Sequence, residues 1–348
     1  MKYKIGIIGY FATGKSKAGG QEAKTCALDK ALKERYGEHQ VLNVDTTDWR
    51  SDPFKLLFGL VKMARSCDNI IMLPAQNSVR IFLPVFQLLQ KFYKNKLLYS
   101  VVGGWLPIFL KQHKWLSARA KRLDHIFVET KTMQEQLAQD GFKNVTIVPN
   151  FKHITPIKKD DISYISNQPY SLCTFSRVMK KKGIEDAIAV VTHINQSFNE
   201  VIFTLDIYGK IDDDYVGNFQ KMCAEFPNYI SYKGMVEPNE SVNVLKNYFA
   251  VLFPTRYYTE GVPGSIIDAY MAGAPVIAAR WGNHQDVFIH NVTGWGYSFE
   301  DCSDFNKVLL RLKDEPSCFT KMKSNCLIEA EHYRPENVIN KICKCLME

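Results

Sequence analysis

The chain predicts an α/β protein of two tandem domains, each an open parallel sheet wrapped by helices. Three observations carry this. Short apolar runs alternate with stretches of helical periodicity from Lys4 to Pro149. A polar stretch at Lys152–Pro169 breaks the rhythm, and a second alternation starts at Tyr170. The 348 residues, 46% apolar and 12% aromatic, suffice for two cores of roughly 150 residues each. Strands that alternate with helices pair in parallel, because each crossover helix brings the chain back alongside the strand it left.

In the first domain, Lys4–Gly9 reads as a strand, followed by a glycine-rich loop through Gly20. Gln21–Tyr36 carries Ala23, Ala27, Leu28, Ala31 and Leu32 at helical spacing and stops near Gly37. Val41–Asp45 is a strand, Phe54–Arg65 a helix, Asn69–Leu73 a strand and Val79–Tyr93 a helix. Lys96–Val102 is a strand and Gly104–Leu123 mostly helix. His125–Thr130 is a strand, Lys131–Asp140 a helix and Val145–Pro149 a strand. In the second domain Tyr170–Phe175, Val201–Tyr208, Ile230–Lys233 and Ala250–Pro254 read as strands. Ile184–Asn195, Tyr215–Glu225 and Glu237–Tyr248 read as the helices between them, and Asp304–Leu312 as a later one. The boundaries are placed at 1–155 and 156–330. Residues 331–348 are expected to form a helix packing back toward the first domain.

The nine cysteines are scattered, form no CxxC pair and are odd in number, which fits reduced cytosolic thiols better than a disulfide framework or a zinc site. The start, Met1–Gly9, is too short and glycine-broken for a signal peptide. No run of about 18 apolar residues exists to cross a membrane. A cytoplasmic protein is expected. The net charge of +8 hides an asymmetry: residues 1–160 carry 26 Lys+Arg against 13 Asp+Glu, and residues 161–348 carry 18 against 23. A basic domain attracts anionic partners such as lipid headgroups or phosphates. Phe54–Arg65 and Trp105–Leu116 are cationic, amphipathic and aromatic, as interfacial helices are. Ordinary buried helices with solvated lysines fit them equally well. The balance favours contact with the inner face of the cytoplasmic membrane. No nucleic-acid module is present.

The string from Thr259 to Ala279, TEGVPGSIIDAYMAGAPVIAA, carries the most chemistry. It reads as a loop, a helix opened by Glu260, a stop at Gly273 and Pro275, and a buried strand at Val276–Ala279. Glu260 and Asp268 are eight residues apart, just over two turns, and so share one face. Gly261 and Gly264 let backbone N–H groups approach a ligand, and a helix N-terminus attracts anions. Carboxylates accept hydrogen bonds from sugar hydroxyls. The spacing alone suits a capped helix and a core strand just as well. Arg177 and Lys182, in the basic loop after the strand at Tyr170–Phe175, suit a diphosphate. A solvated lysine run is the plain alternative. Gly209 and Val236 follow two further strands, where an ordinary turn explains each as well.

Gly9–Ser16 fits the Walker A pattern and suggests a P-loop NTPase or kinase. A P-loop needs its helix to begin at the Gly-Lys-Ser, whereas Gly19 and Gly20 are poor first-turn residues and a start near Gln21 is more natural. No convincing Walker B strand follows; Val41–Asp45 is the nearest.

The Thr259–Ala279 string resembles the donor-site signature of glycosyltransferase family 4, retaining enzymes of the GT-B fold. That signature is Glu, seven residues, Glu, within a Gly- and Pro-bearing context; here Asp268 replaces the second Glu. The resemblance implies two Rossmann-like domains facing an interdomain cleft, and transfer of a sugar from a nucleotide sugar without a metal or other cofactor. It implies that Arg177 and Lys182 hold the donor diphosphate, Asp268 the ribose and Glu260 the sugar hydroxyls. Gly261, Val262, Pro263 and Gly264 would frame the donor through their backbone. Gly19 and Gly20 match the family's Gly-Gly pair near the donor phosphates, and Gly209 and Val236 border the nucleotide. Glu260, Arg177 and Lys182 are the catalytic set. Gly103, Gly104 and Trp105 stand on the acceptor side, where many relatives have a His. The acceptor implied is a saccharide or lipid-diphosphate-linked saccharide of capsule or surface-polysaccharide assembly, and a UDP sugar is the expected donor. A non-catalytic adaptor with a degenerate donor site is a further alternative.

Overall fold

The computed structural model describes residues 3–14, 19–47, 49–164 and 167–347. The chain divides into two compact units, residues 1–153 with 333–348, and residues 154–332. In the first unit the order is β1 (Tyr3–Gly9), α1 (Gly20–Tyr36), β2 (Val41–Asp45), α2 (Pro53–Ser66), β3 (Cys67–Leu73) and α3 (Val79–Tyr93). It continues with β4 (Lys96–Ser100), α4 (Leu106–Gln112), α5 (Lys114–Ala120), β5 (His125–Val128), α6 (Lys131–Gln139) and β6 (Val145–Ile147). The second unit holds β7 (Tyr170–Phe175), α7 (Ile184–Phe198), β8 (Phe203–Tyr208), α8 (Val216–Ala224), β9 (Ile230–Gly234), α9 (Ser241–Leu245) and β10 (Ala250–Phe253). It closes with α10 (Gly264–Met271), β11 (Val276–Ala279), β12 (Gly294–Tyr297), α11 (Cys302–Asp314) and α12 (Pro316–Ala330). Helix α13 (Pro335–Met347) belongs to the first unit and packs against α1.

Each unit is a six-stranded sheet, in the order β2-β1-β3-β4-β5-β6 and β12-β11-β10-β7-β8-β9, with every pairing parallel. Parallel strands need cover on both faces, and the side chains show it. Ile5, Ile7, Ile71, Leu98 and Phe127 point toward α1 and α13. Their neighbours Ile8, Ile70, Leu97 and Ile126 point toward α2, α3, α4, α5 and α6. In the second unit, β7, β8 and β10 pack with α7, α11 and α12 around Phe203, Phe249 and Phe319.

Three segments depart from the expected pattern. The helix expected over Gly104–Leu123 breaks at His113, whose ring stacks on Phe109 and bonds Phe109 O and Arg80. The helix expected over Glu237–Tyr248 shrinks to α9, preceded by a 3-10 turn at Pro238–Glu240. Strand β12 was not expected, because two glycines in four residues weaken a strand signal. Among the described residues no helix is long and apolar enough to cross a membrane.

Candidate donor site

Strands β7 and β10 are neighbours, yet the chain leaves them in opposite directions, to β8 on one side and β11 on the other. At such a switch point the loops from the carboxyl ends diverge and leave a crevice for a ligand. Here those loops are 176–183 after β7 and 254–263 after β10. They are locked to one another by backbone. Arg256 N–H donates to Lys181 O at 2.9 Å. Gly183 has φ +69°, and a Cβ there would fall 1.7 Å from Pro254 O. A third loop, after β8, is equally tight: a Cβ on Gly209, at φ +135°, would lie 1.9 Å from Ser176 O. Glycine is required at both places by packing as well as by φ.

Two of the expected residues meet across this switch point. Lys182 Nζ forms an ion pair with Glu260 Oε1. The ammonium also lies 5.4 Å from the Phe253 ring centroid and 5.3 Å from that of Tyr257. Thr255 Oγ1 donates to the same Glu260 oxygen at 3.0 Å, and Asn283 Nδ2 donates to Glu260 O at 2.6 Å. Arg177 stands apart from this pair, half-exposed, with its Nη1 3.4 Å from Asp212 Oδ1. Tyr257 senses three of these charges: burial pushes its hydroxyl up, the Arg177 charge pulls it down, and Glu260 and Asp212 push it up again. Beneath the loop, Arg256 grips buried Asp186 with two bonds of 2.8 and 2.6 Å, an anchor for the Thr255–Tyr257 backbone.

The acidic motif needs a correction. Glu260 does not open the helix; it lies in the loop, and α10 begins at Gly264 after Pro263. Glu260 is therefore aimed by Thr255 and Asn283 rather than by sharing a helical face with Asp268. No side chain caps the start of α10. Its end is as expected: Gly273 has φ +61°, Gly273 N bonds Tyr270 O, and Ala274 N bonds Ala269 O, a Schellman motif. Gly261, Val262 and Pro263 are buried ahead of the helix, and Gly264 is half-buried. Asp268 is only 2% exposed and accepts from Ser241 Oγ at 3.2 Å, so it sits beneath the α9–α10 surface. Val236 is half-buried just past β9, next to an exposed Met235.

The first-unit residues are placed as follows. Gly19 caps α1, and its N–H is taken by Glu22 Oε1 at 2.9 Å; Gly20 is the first helical residue and is exposed. Lys15 and Ser16 lie outside the described residues. The start of α1 at Gly20, beyond the Gly-Lys-Ser, is not P-loop geometry. Asp45, the nearest Walker B residue, accepts from Phe11 N and Thr13 N and so staples the glycine-rich loop. Gly103 has φ +82°, Gly104 is buried, and Trp105 spends its indole N–H on Val102 O at 2.8 Å. The sequence missed a fully buried pair beside them. Lys24 Nζ lies 2.7 Å from Glu129 Oε1 and donates to Val101 O at 2.6 Å, while Gly103 N donates to Glu129 Oε1 at 3.2 Å. It also missed Thr255, Asn283 and Ser241, whose contacts with the motif are made only in the folded chain. Among the described residues no group of three or more His, Cys, Asp or Glu is placed to hold a metal ion.

Comparison with known proteins bears on this arrangement. The family model for Glycosyl transferases group 1 matches residues 169–315, the stretch that carries Arg177, Lys182, Glu260 and Asp268. A curated relative, the amylovoran biosynthesis glycosyltransferase AmsK of Erwinia amylovora, is 23% identical over 150 residues. That match covers 42% of this chain and 36% of AmsK, so it spans about a third of the relative. Among solved structures, HepE of Anabaena in complex with UDP superposes with a TM-score of 0.74 at 16% identity, covering 99% of each chain. The same protein with UDP-glucose gives 0.73, again at 16% identity and 99% of each chain. Sucrose-phosphate synthase from Thermosynechococcus elongatus gives 0.76 at 15% identity, covering 99% of this chain and 98% of that one. The fold is that of GT-B glycosyltransferase structures, and residues 169–315 form a glycosyltransferase group 1 domain.

Proposed function

We propose that the chain is a retaining GT-B glycosyltransferase of the family 4 type, moving a sugar from a nucleotide diphosphate sugar to a hydroxyl of its acceptor. The observation that supports this best is the Lys182–Glu260 pair at the switch point of the second sheet, with Arg177 on the same loop as Lys182. In the unliganded chain the two neutralise each other. A nucleotide sugar has what each needs: a diphosphate for Lys182 and Arg177, and sugar hydroxyls for Glu260. As the glycosidic bond breaks, the departing diphosphate gains negative charge, and two fixed cations stabilise it without a divalent ion. With no side-chain nucleophile assigned, the acceptor hydroxyl attacks from the face the diphosphate leaves, and the diphosphate takes its proton. Gly261 to Gly264 frame the donor through their backbone. Asp268, buried, supports the ribose end by fixing Ser241 and the start of α9.

UDP is the nucleotide we favour, in line with the UDP and UDP-glucose complexes of HepE. For the acceptor we favour a saccharide or lipid-diphosphate-linked saccharide of surface or capsular polysaccharide assembly, as the name of AmsK suggests. The basic first unit would meet that acceptor at the inner face of the cytoplasmic membrane.

A thermal-shift panel of nucleotide sugars, with nucleotide release as the second readout, tests the reading. One UDP sugar at about a hundred times its Kd should stabilise the chain by about 2.7 kcal/mol. Lys182→Ala should abolish the shift and slow release about 10²–10³-fold. A panel in which ATP alone shifts the transition, or in which nothing does, would sink the proposal.

A further inference from the structure

The helices on one face of the first sheet, α2 through α6, form a layer opposite α1 and α13. The outer side of this layer is unusual in two independent ways. On α2, Phe54, Leu57 and Phe58 are 82%, 50% and 73% exposed, although Leu56, Leu60 and Met63 already supply that helix's buried face. On α3, packed against α2, Ile81, Leu88 and Phe92 are exposed at spacings of seven and four, a second apolar stripe on one side of a helix. Single exposed apolar residues mean little, but stripes on adjacent helices form a patch, and patches mark interaction sites. The second peculiarity is charge. Residues 53–123 contain twelve lysines and arginines and one acidic residue, Asp68. Three of those lysines, Lys111, Lys114 and Lys121, line a hollow of about 360 Å³ on α4 and α5 together with Asp140, whose Oδ2 lies 3.9 Å from Lys111 Nζ. The opposite layer has neither property: α1 mixes acids with bases, and among the described residues α1 and α13 expose one large apolar side chain, Met347.

The sequence pointed to both Phe54–Arg65 and Trp105–Leu116 for this role; the structure leaves the first, on α2, with an exposed apolar stripe and buries most of the second. Leu106, Phe109, Leu110 and Leu116 are buried, and only Ile108 and Trp115 of that stretch are prominently exposed apolar residues. The apolar surface belongs to α2 and α3, with Trp115 on α5, which packs against α3.

We propose that the outer side of the α2–α3–α5 layer seats on an anionic lipid surface, with Phe54, Phe58 and Phe92 entering the headgroup–acyl boundary. This rests on the membrane reading above and assigns it a face. Protruding aromatics in a predominantly cationic field fit that occupant: the rings gain from burial in acyl chains, and the cations gain from phosphate headgroups. The lysine-lined hollow would hold such a headgroup.

The full chain is tested by flotation with vesicles of phosphatidylcholine alone and with 30% phosphatidylglycerol. It should bind only the anionic vesicles, and less at 0.5 M salt. The triple variant Phe54→Ser, Phe58→Ser, Phe92→Ser should lower partitioning at least about tenfold. Lys30→Gln with Lys33→Gln, on α1, should leave it unchanged. Quenching by brominated lipid should fall in Trp115→Phe, a readout that needs no change to the apolar stripes. No binding by the parent chain would remove the membrane reading and this face together. Binding undiminished in the triple variant would overturn the face alone, and so would quenching unaffected by Trp115→Phe.

Discussion

Each unit contains a lysine–glutamate pair, and the two differ in every respect that matters. Lys24 and Glu129 have side chains 2% and 3% exposed, are carried by α1 and the end of β5, and share their hydrogen bonds with Val101 O and Gly103 N. Lys182 and Glu260 have side chains 17% and 15% exposed and sit on loops at a topological switch point. The first pair closes off its charges within rigid elements. The second leaves its charges where a ligand can replace each partner. A fully buried pair is costly to break, because one charge is left in a low-dielectric interior; a part-buried pair, whose remaining charge can reach water, costs less. The sheets differ in parallel with the pairs. Counted from its own first strand, the second sheet runs 3-2-1-4-5-6, the order of dinucleotide-binding folds, and the first runs 2-1-3-4-5-6.

The largest expected effect tests the closed pair. Glu129→Ala should destabilise the first unit by about 3–5 kcal/mol, and Lys24→Met with Glu129→Met should recover most of that loss. A cost below about 1 kcal/mol for Glu129→Ala in denaturant titrations would erase the distinction.

Next in size is Lys323, a buried cation on α12 whose acceptor among the described residues is Tyr248 O at 3.2 Å, with no carboxylate. Burial lowers its pKa from 10.5 to about 8. Between those values the unfolded chain holds a proton that the folded chain has released, so stability rises with pH across the window. Below about 8 both states are protonated and the full burial cost stands. Lys323→Met should therefore stabilise the chain at pH 7, on the order of 2–3 kcal/mol. The gain should shrink as the pH approaches 10.5. A melting temperature unchanged or lowered at pH 7 would show that Lys323 is compensated after all.

The smallest effect on stability belongs to the open pair. Lys182→Met should change the unfolding free energy by clearly less than Glu129→Ala does, about 1–2 kcal/mol, whatever it does to donor binding. A loss comparable to that of Glu129→Ala would make the second pair structural too, and the donor reading would lose its main support.

The parallel alternation, most strand positions and the two loops that meet at the switch point were legible because each is written in contiguous residues. Arg177 to Gly183 and Glu260 to Gly264 are local strings whose chemistry can be read in place. The Lys24–Glu129 pair spans 105 positions and carries no local signal. Asn283, which holds Glu260 O, lies 23 residues downstream of it and was equally silent. Helical periodicity placed Asp268 correctly on α10, but it was extended to Glu260, where the backbone is not helical. Exposure was the least legible property. The stretch from Trp105 to Leu116 and helix α3 are both apolar and cationic, and only packing decides that the first is largely buried while the second keeps a free stripe.

The missing side chain at Gly183 acts as a spacer gauge. With Pro254 O 1.7 Å from where a methyl group would stand, the β7 and β10 loops touch backbone to backbone, and their separation is fixed by contact. Any other residue there would wedge them apart and move Lys182 away from Glu260. Efforts to broaden the ligand range of this site should therefore exchange the side chains that project from the loops and leave the loop frame untouched.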